Sequence, residues 1–266
     1  MNVPTVSVVI PMHNSSTTIE RALRSVVEQT RPPSEIIAVD DASTDDTCAL
    51  VEKISATSPI PLKLLRLHEN LGAGTTRNEG WRVATGELIA FLDADDAWHP
   101  RKLEIQSEAM GAHPGSVMSC HQHRFSKDND WDSVPSPRHR MIGLRAFLFK
   151  NRCSTPSVVV KRNIEQRFGA GSHSEDYLLW LRIVAAHGPC LKVEAPLVHC
   201  TNPPFGGRGL SGQLLAMERA ELAGYRTLHR EGSVSRSMVI AASLWSITKF
   251  LIRVVSSANP LRMKQR

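Results

Sequence analysis

Through the first hundred residues, short apolar runs that end in polar residues alternate with segments of helical period, and no other feature limits the fold more tightly. Val6 to Ile10, VSVVI, is a β-branched run closed by Pro11, which fits a strand buried on both faces as in a parallel sheet. Thr17 with Glu20 three residues later predicts a capping box, and Ile19, Leu23, Val26 and Val27 recur at helical spacing up to the Arg31-Pro32-Pro33 break. Glu35 to Val39 predicts a second strand that runs straight into Asp40 and Asp41. A capped segment from Ser43 to Ser55, a strand over Leu62 to Leu67, a helix from about Thr76 to Thr85 and a strand over Leu88 to Leu92 repeat the pattern. Alternation of this kind predicts right-handed crossovers and an α/β fold, a doubly wound and mostly parallel sheet flanked by helices.

Beyond Pro100, which suits the first turn of a helix, the pattern loosens. Ser126 to Arg140 reads as a polar loop, Ser157 to Lys161 as a strand, Ser174 to His187 as a helix stopped by Gly188-Pro189, and Leu191 to Val198 as extended chain. The stretch NPPFGGRGLSG, Asn202 to Gly212, predicts a loop with room to move, and two helices follow over Gln213 to Arg230 and Ser235 to Val255. The chain divides on this reading into a main unit, 1–212, and a C-terminal helical extension, 213–266. With 266 residues and 41% hydrophobic content it can bury a full core.

The formal net charge of +6 is compatible with a partner that carries phosphate or with an anionic membrane surface, and equally with ordinary surface solvation. Five scattered cysteines without a CxxC pair indicate neither a zinc site nor a disulfide framework, and read as reduced thiols. The opening MNVPTVSVVIPMHN lacks the form of a signal peptide, so the expected location is cytoplasmic.

Ligands of open parallel sheets bind beyond the carboxyl ends of the strands. His13 and Asn14, Asp40 and Asp41, and Asp93, Asp95 and Asp96 all fall just past strand ends, so three distant segments converge on one edge. Asp45 and Asp46 read as helix-capping acids, whereas Asp40 and Asp41 stand where a carboxylate can accept hydrogen bonds from a base or ribose. Asp93-Ala94-Asp95-Asp96 is either a capping turn or a cation site, since neighbouring carboxylates repel unless a cation or donor groups offset them. Mg²⁺ or Mn²⁺ on one or two of them would keep positions open for phosphate oxygens. Arg77, behind Gly72-Ala73-Gly74 in the first turn of its helix, is placed to reach a phosphate or is a surface arginine. Glu175 and Asp176 begin another helix, where capping accounts for one acid and leaves the second for chemistry. His121, His123, His139 and His199 have no compact ligand spacing and read as structural or surface residues.

Taken together, VSVVIPMHN, IIAVDDASTDDT, GAGTTRNEGWRVATGELIAFLDADD and SEDYLLWLRI, in that order and spacing, resemble the inverting family 2 glycosyltransferases of the glycosyltransferase A fold, a single Rossmann-like sheet. The resemblance is dense over Val6 to Trp98 and returns at Glu175-Asp176. It implies that Pro11 and His13 border the nucleotide base, that Asp41 reads the base, and that Arg77 lies near base and phosphates. It further implies Asp93 near the ribose, Asp95 as direct ligand of Mn²⁺ or Mg²⁺, and Asp176 as catalytic base. His199, before the Asn202 to Gly212 loop, stands where related enzymes supply a further metal ligand. Position 13 is often aromatic in the family, so a histidine there departs from the pattern. No Q-x-x-R-W motif of the processive polymerases is present, which implies single addition.

The expected activity is therefore metal-dependent transfer from a nucleotide-diphosphate sugar, a UDP- or dTDP-sugar, to a hydroxyl of a saccharide or lipid-linked acceptor in surface-polysaccharide synthesis. Rival readings are a non-catalytic nucleotide-sugar-binding scaffold or sensor and a sugar nucleotidyltransferase, the latter lacking a Gly-rich phosphate loop near the first strand. Nucleic acid is not expected as a partner, since only the net charge favours it. The loop Asn202 to Gly212 is either a lid over bound donor or an ordinary linker. SMVIAASLWSITKFLIRVV is interrupted by Lys249 and Arg253, too soon for a clean bilayer span of about 20 residues. It is expected either to lie in the inner face of the cell membrane, with Lys249, Arg253, Arg262, Lys264 and Arg266 toward anionic headgroups, or to pack on protein.

Overall fold

The computed structural model describes residues 3–126, 130–134, 136–169, 175–201 and 214–257. The first half alternates as expected: β1 (Val6–Met12), α1 (Ile19–Val27), β2 (Glu35–Asp40), α2 (Thr47–Ser55), β3 (Leu62–Arg66), α3 (Ala73–Val83) and β4 (Leu88–Phe91). The second half comprises β5 (Ala97–Trp98), α4 (Lys102–Ala112), β6 (Met118–Phe125), β7 (His139–Ile142), α5 (Leu144–Phe149), a 3₁₀ turn (Thr155–Ser157), β8 (Val159–Lys161), α6 (Glu175–His187), β9 (Cys190–Cys200), α7 (Leu214–Arg230) and α8 (Arg236–Ser257). Among the described residues these strands form one sheet in the order β3-β2-β1-β4-β8-β6-β9-β5, with β7 on β9.

Parallel register runs through β3, β2, β1 and β4, and β1, β2 and β4 are buried along their whole length, whereas the edge strand β3 is partly exposed. Past β4 the sheet is mixed. β8 is antiparallel to both β4 and β6, β6 and β9 are parallel, and β5 and β7 run antiparallel to β9. Strand alternation sorts the core into two layers. Val8, Ile10, Ile36 and Ala38 face α1, α2 and α4, while Val9, Ile37, Val39 and Phe91 face α3, α5 and α6. α1 contributes Ile19, Ala22, Leu23 and Val26, the stripe its spacing predicts. Gly80 allows α3 to lie on β1 and β2, since a Cβ there would overlap Val9 and crowd Val39.

The start of α1 differs from the predicted capping box. Thr18 is the N-cap without a side-chain cap bond, the amides of Thr18 and Ile19 bond to the Ser15 carbonyl, and Glu20 pairs with Arg24 at 3.1 Å. The backbone of the β1–α1 loop therefore satisfies the amides a capping side chain would have taken. Asp45 does act as a capping acid, accepting Thr47 N at 3.1 Å and Ser16 N at 3.1 Å.

The helical extension shares the core of the sheet rather than forming its own. Tyr225, Leu228 and Ala242 are fully buried in the layer that holds Phe147, Tyr177 and Trp180. The Tyr225 hydroxyl donates to the Leu148 carbonyl at 2.9 Å.

Candidate active site

The carboxyl ends of β1, β2 and β4 open into a crevice of about 580 Å³, within the range of small-molecule sites. Pro11, His13, Asp41, Arg77, Asp93 and Asp95 all line it. Pro11 is buried as the penultimate residue of β1, and the strand continues one residue beyond it, to Met12. His13 stands exposed at the rim. Its Nδ1 donates to the Asp41 carbonyl at 2.7 Å, which leaves Nε2 to accept from the Asn14 amide at 3.2 Å. Asn14 and Ala42, at the tips of β1 and β2, have φ of 48° and 57°, a left-handed conformation uncommon for residues other than glycine. Asn14 Oδ1 accepts Thr44 N at 2.8 Å and ties the two strand tips together.

Asp41 is buried and holds the loop before α3: its Oδ1 accepts Leu71 N at 2.7 Å and its Oδ2 accepts Gly72 N at 2.9 Å. Each oxygen keeps a second lone pair, so the carboxylate can still accept from a ligand.

Arg77 is neither in the first turn of its helix nor a surface group. α3 begins at Ala73, one turn before it, and the Arg77 side chain is 8% exposed. Nη2 meets Asp93 Oδ1 at 2.6 Å and Nη1 lies 3.9 Å from Glu175 Oε1, while Nε is buried without a partner. The guanidinium therefore joins the turn after β4 to the start of α6. Gly74 makes the approach possible, because a Cβ there would come within 3.1 Å of Glu175 Cγ and of the Gly169 carbonyl.

Asp176, next to Glu175, is half-buried beside this ion pair. Its Oδ1 accepts Tyr177 N at 2.6 Å and its Oδ2 accepts Thr155 Oγ1 at 3.1 Å. Burial raises its pKa above the ordinary carboxylate range, opposed by the Arg77 guanidinium. Glu175 is raised as well, by burial and then by repulsion from Asp176.

The turn after β4 is fixed from outside by residues whose roles spacing does not reveal. Arg21 of α1 donates to the Asp95 carbonyl at 2.5 Å, Thr201 Oγ1 donates to the same oxygen, and Thr201 N donates to Asp96 Oδ1 at 3.0 Å. Asp96 is buried, and its pKa is pushed up to about 8 by burial and then by repulsion from Asp93 and Asp95. An oxygen-only donor set of neighbouring carboxylates suits a hard divalent cation. Asp95, with Asp93 beside it, could hold one. His199 does not join them. It is buried with its ring stacked on Trp131 at 3.6 Å, and it is not among the residues lining the crevice, whereas the thiol of the next residue, Cys200, touches Asp96.

Residues 7–168 match the family described as Glycosyl transferase family 2, well over half of the chain. The chain belongs to glycosyltransferase family 2. It is 32% identical over 180 residues to the UDP-Glc:alpha-D-GlcNAc-diphosphoundecaprenol beta-1,3-glucosyltransferase WfgD of Escherichia coli, covering 67% of this chain and 69% of that one. The chain spans about half the length of the curated relatives it matches, from 30% to 69% across four of them. Its fold matches the S. aureus TarS 1-349 structure in complex with UDP-GlcNAc, with TM-score 0.71 and 20% identity over 98% of this chain and 76% of that one. It also matches the mannosyltransferase PcManGT from Pyrobaculum calidifontis in complex with GDP-Man and Mn2+, with TM-score 0.69 and 20% identity over 97% and 76%. At that identity the two structures speak for the fold alone.

In this family 2 chain the cysteines depart from the expectation of five reduced thiols. Cys120 of β6 and Cys153 after α5 are disulfide-bonded, and the Cys190 thiol lies 3.8 Å from Cys120. The three meet because β6, β9 and the segment after α5 pack together, which their spacing of 33 and 37 residues in sequence does not show. The expected lid, Asn202 to Gly212, lies outside the described residues, as do Arg262, Lys264 and Arg266.

Proposed function

We propose that the protein transfers one sugar per encounter, with inversion, from a UDP- or dTDP-sugar to a hydroxyl of a lipid-linked saccharide in surface-polysaccharide synthesis. The observation that carries this reading is the electrostatic interaction of Asp176 with Arg77 and Asp93, which line the crevice although Asp176 itself does not. A half-buried carboxylate of raised pKa beside that ion pair favours an enzyme over a scaffold that only binds nucleotide sugar. The lipid-linked acceptor is drawn from WfgD, whose name specifies a diphosphoundecaprenol acceptor.

In the proposed reaction the acceptor oxygen attacks the anomeric carbon from the face opposite the diphosphate. As the new C–O bond forms, the bond from that carbon to the diphosphate oxygen breaks, the nucleoside diphosphate departs, and the acceptor proton passes to Asp176. Asp41, Pro11 and His13 bound the base and Asp93 the ribose. Arg77 offsets charge that grows on the leaving group. A divalent cation on Asp95, when bound, neutralises the diphosphate further.

Residues 1–212 carry the donor site and the base, and 213–266 the extension. A lipid-linked acceptor puts the work of the enzyme at the inner face of the cell membrane. The test is a panel of nucleotide sugars with Mn²⁺ or Mg²⁺, scored by calorimetric binding and by the anomeric configuration of the product. Binding that ignores the metal would remove Asp95 from its role, and retention of configuration would remove the single displacement.

A further inference from the structure

The helix α8 packs Met238, Val239 and Ala242 on the core, but beyond them it turns polar groups inward and apolar ones outward. Toward α7 it turns Ser246, whose hydroxyl donates to Glu221 Oε1 at 2.8 Å, Lys249, which lies 3.4 Å from Glu221, and Arg253, which lies 3.9 Å from Glu218. Toward solvent it turns Ile240, Leu244, Trp245, Ile247, Leu251 and Ile252, each between 39% and 62% exposed. A solvated surface helix shows the opposite arrangement, and an apolar stripe continuous over the length of a helix marks a contact surface.

Charge says what covers it. No acidic residue follows Glu231, while Arg236, Lys249, Arg253, Arg262, Lys264 and Arg266 do follow it. These six account for the whole formal net charge of +6, because the other 26 of the 32 Lys and Arg balance the 26 Asp and Glu. Lys249 and Arg253 are engaged by Glu221 and Glu218, so attraction at long range rests on Arg236 and the three terminal cations. A second copy of the chain would set one such segment against another of the same sign.

We propose that α8 docks the protein on an anionic lipid bilayer, with the helix lying in the interface and its Ile240–Ile252 face among the headgroups and upper acyl chains. Contrary to the expectation drawn from Lys249 and Arg253, α8 is long and apolar enough to cross a membrane by length and composition alone. Its inner side is tied to two glutamates of α7 and its Trp245 Nε1 to the Phe149 carbonyl at 2.9 Å, so a spanning helix would carry those carboxylates into hydrocarbon or leave α7 behind. Lying flat wets only the apolar side with lipid and costs neither.

The proposal stands apart from the sugar chemistry, since vesicle binding is read without donor or acceptor. Full-length protein is sedimented with vesicles of phosphatidylcholine alone or mixed with phosphatidylglycerol, beside the variant I240S/L244S/L251S, whose substitutions touch only exposed positions. The wild type is expected to bind the phosphatidylglycerol vesicles, less as salt rises. The variant is expected to bind them at least about tenfold more weakly, with its circular dichroism and melting temperature unchanged. Wild type that stays in the supernatant, or a variant that binds equally well, overturns the proposal. So does a wild type that is dimeric by light scattering and becomes monomeric in the variant, which would assign the face to a second copy.

Discussion

Arg77 Nη2 lies 2.6 Å from Asp93 Oδ1, and the same guanidinium lies 3.9 Å from Glu175, so one buried cation links the acids after β4 to those that open α6. Replacing it by methionine leaves Asp93, Glu175 and Asp176 without the cation they share. R77M is expected to lower unfolding stability by about 3 kcal/mol in urea titration and to abolish donor binding by calorimetry. R77K is expected to rescue little, because one ammonium cannot serve both partners of a planar fork.

Burial raises the Asp176 pKa above the ordinary carboxylate range. Proton removal from the acceptor needs the ionised form, so kcat is expected to fall as pH drops through this raised value, on an acid limb displaced toward neutrality. The sign for stability is opposite. A carboxyl that binds its proton more tightly in the folded chain favours folding below its unfolded pKa, and that contribution is lost as pH rises through the folded value. A pH profile of kcat, recorded beside thermal denaturation over the same range, checks both.

Thr155 Oγ1 donates to Asp176 Oδ2 and so favours the carboxylate over the acid. T155V removes the donor at nearly constant volume and is expected to move the acid limb of kcat upward by roughly one pH unit. T155S, which keeps the hydroxyl, is expected to restore it, a pattern that loss of packing alone would not give.

Gly74 leaves room for the meeting of α3 and α6. G74A places a methyl group 3.1 Å from Glu175 Cγ and from the Gly169 carbonyl, so one of the two must shift. The expected cost is about 1 to 3 kcal/mol in unfolding experiments, with a lower kcat, since Glu175 adjoins Asp176 and pairs with Arg77.

The parallel half of the sheet was legible because Val6–Ile10, Glu35–Val39 and Leu88–Leu92 are buried on both faces, and continuous apolar runs are what such burial requires. β6 was not, because its outer half, His121 to Phe125, mixes polar and charged residues and its register with β9 is set by contacts about 70 residues away. The crevice residues Pro11, His13, Asp41, Asp93 and Asp95 were readable from their places at strand tips. Hidden were partnerships between distant side chains: Arg77 with Asp93, Arg21 with the Asp95 carbonyl, Thr155 with Asp176, and Cys120 with Cys153. The stacking of His199 on Trp131 was likewise not legible in the sequence.

The role of Asp176 is tested most directly by D176N, with donor binding and sugar transfer measured on the same folded sample. The amide keeps the size of the side chain but accepts no proton. The account predicts donor affinity near that of the wild type and transfer slower by ~10²- to 10⁴-fold; transfer at the wild-type rate would contradict it.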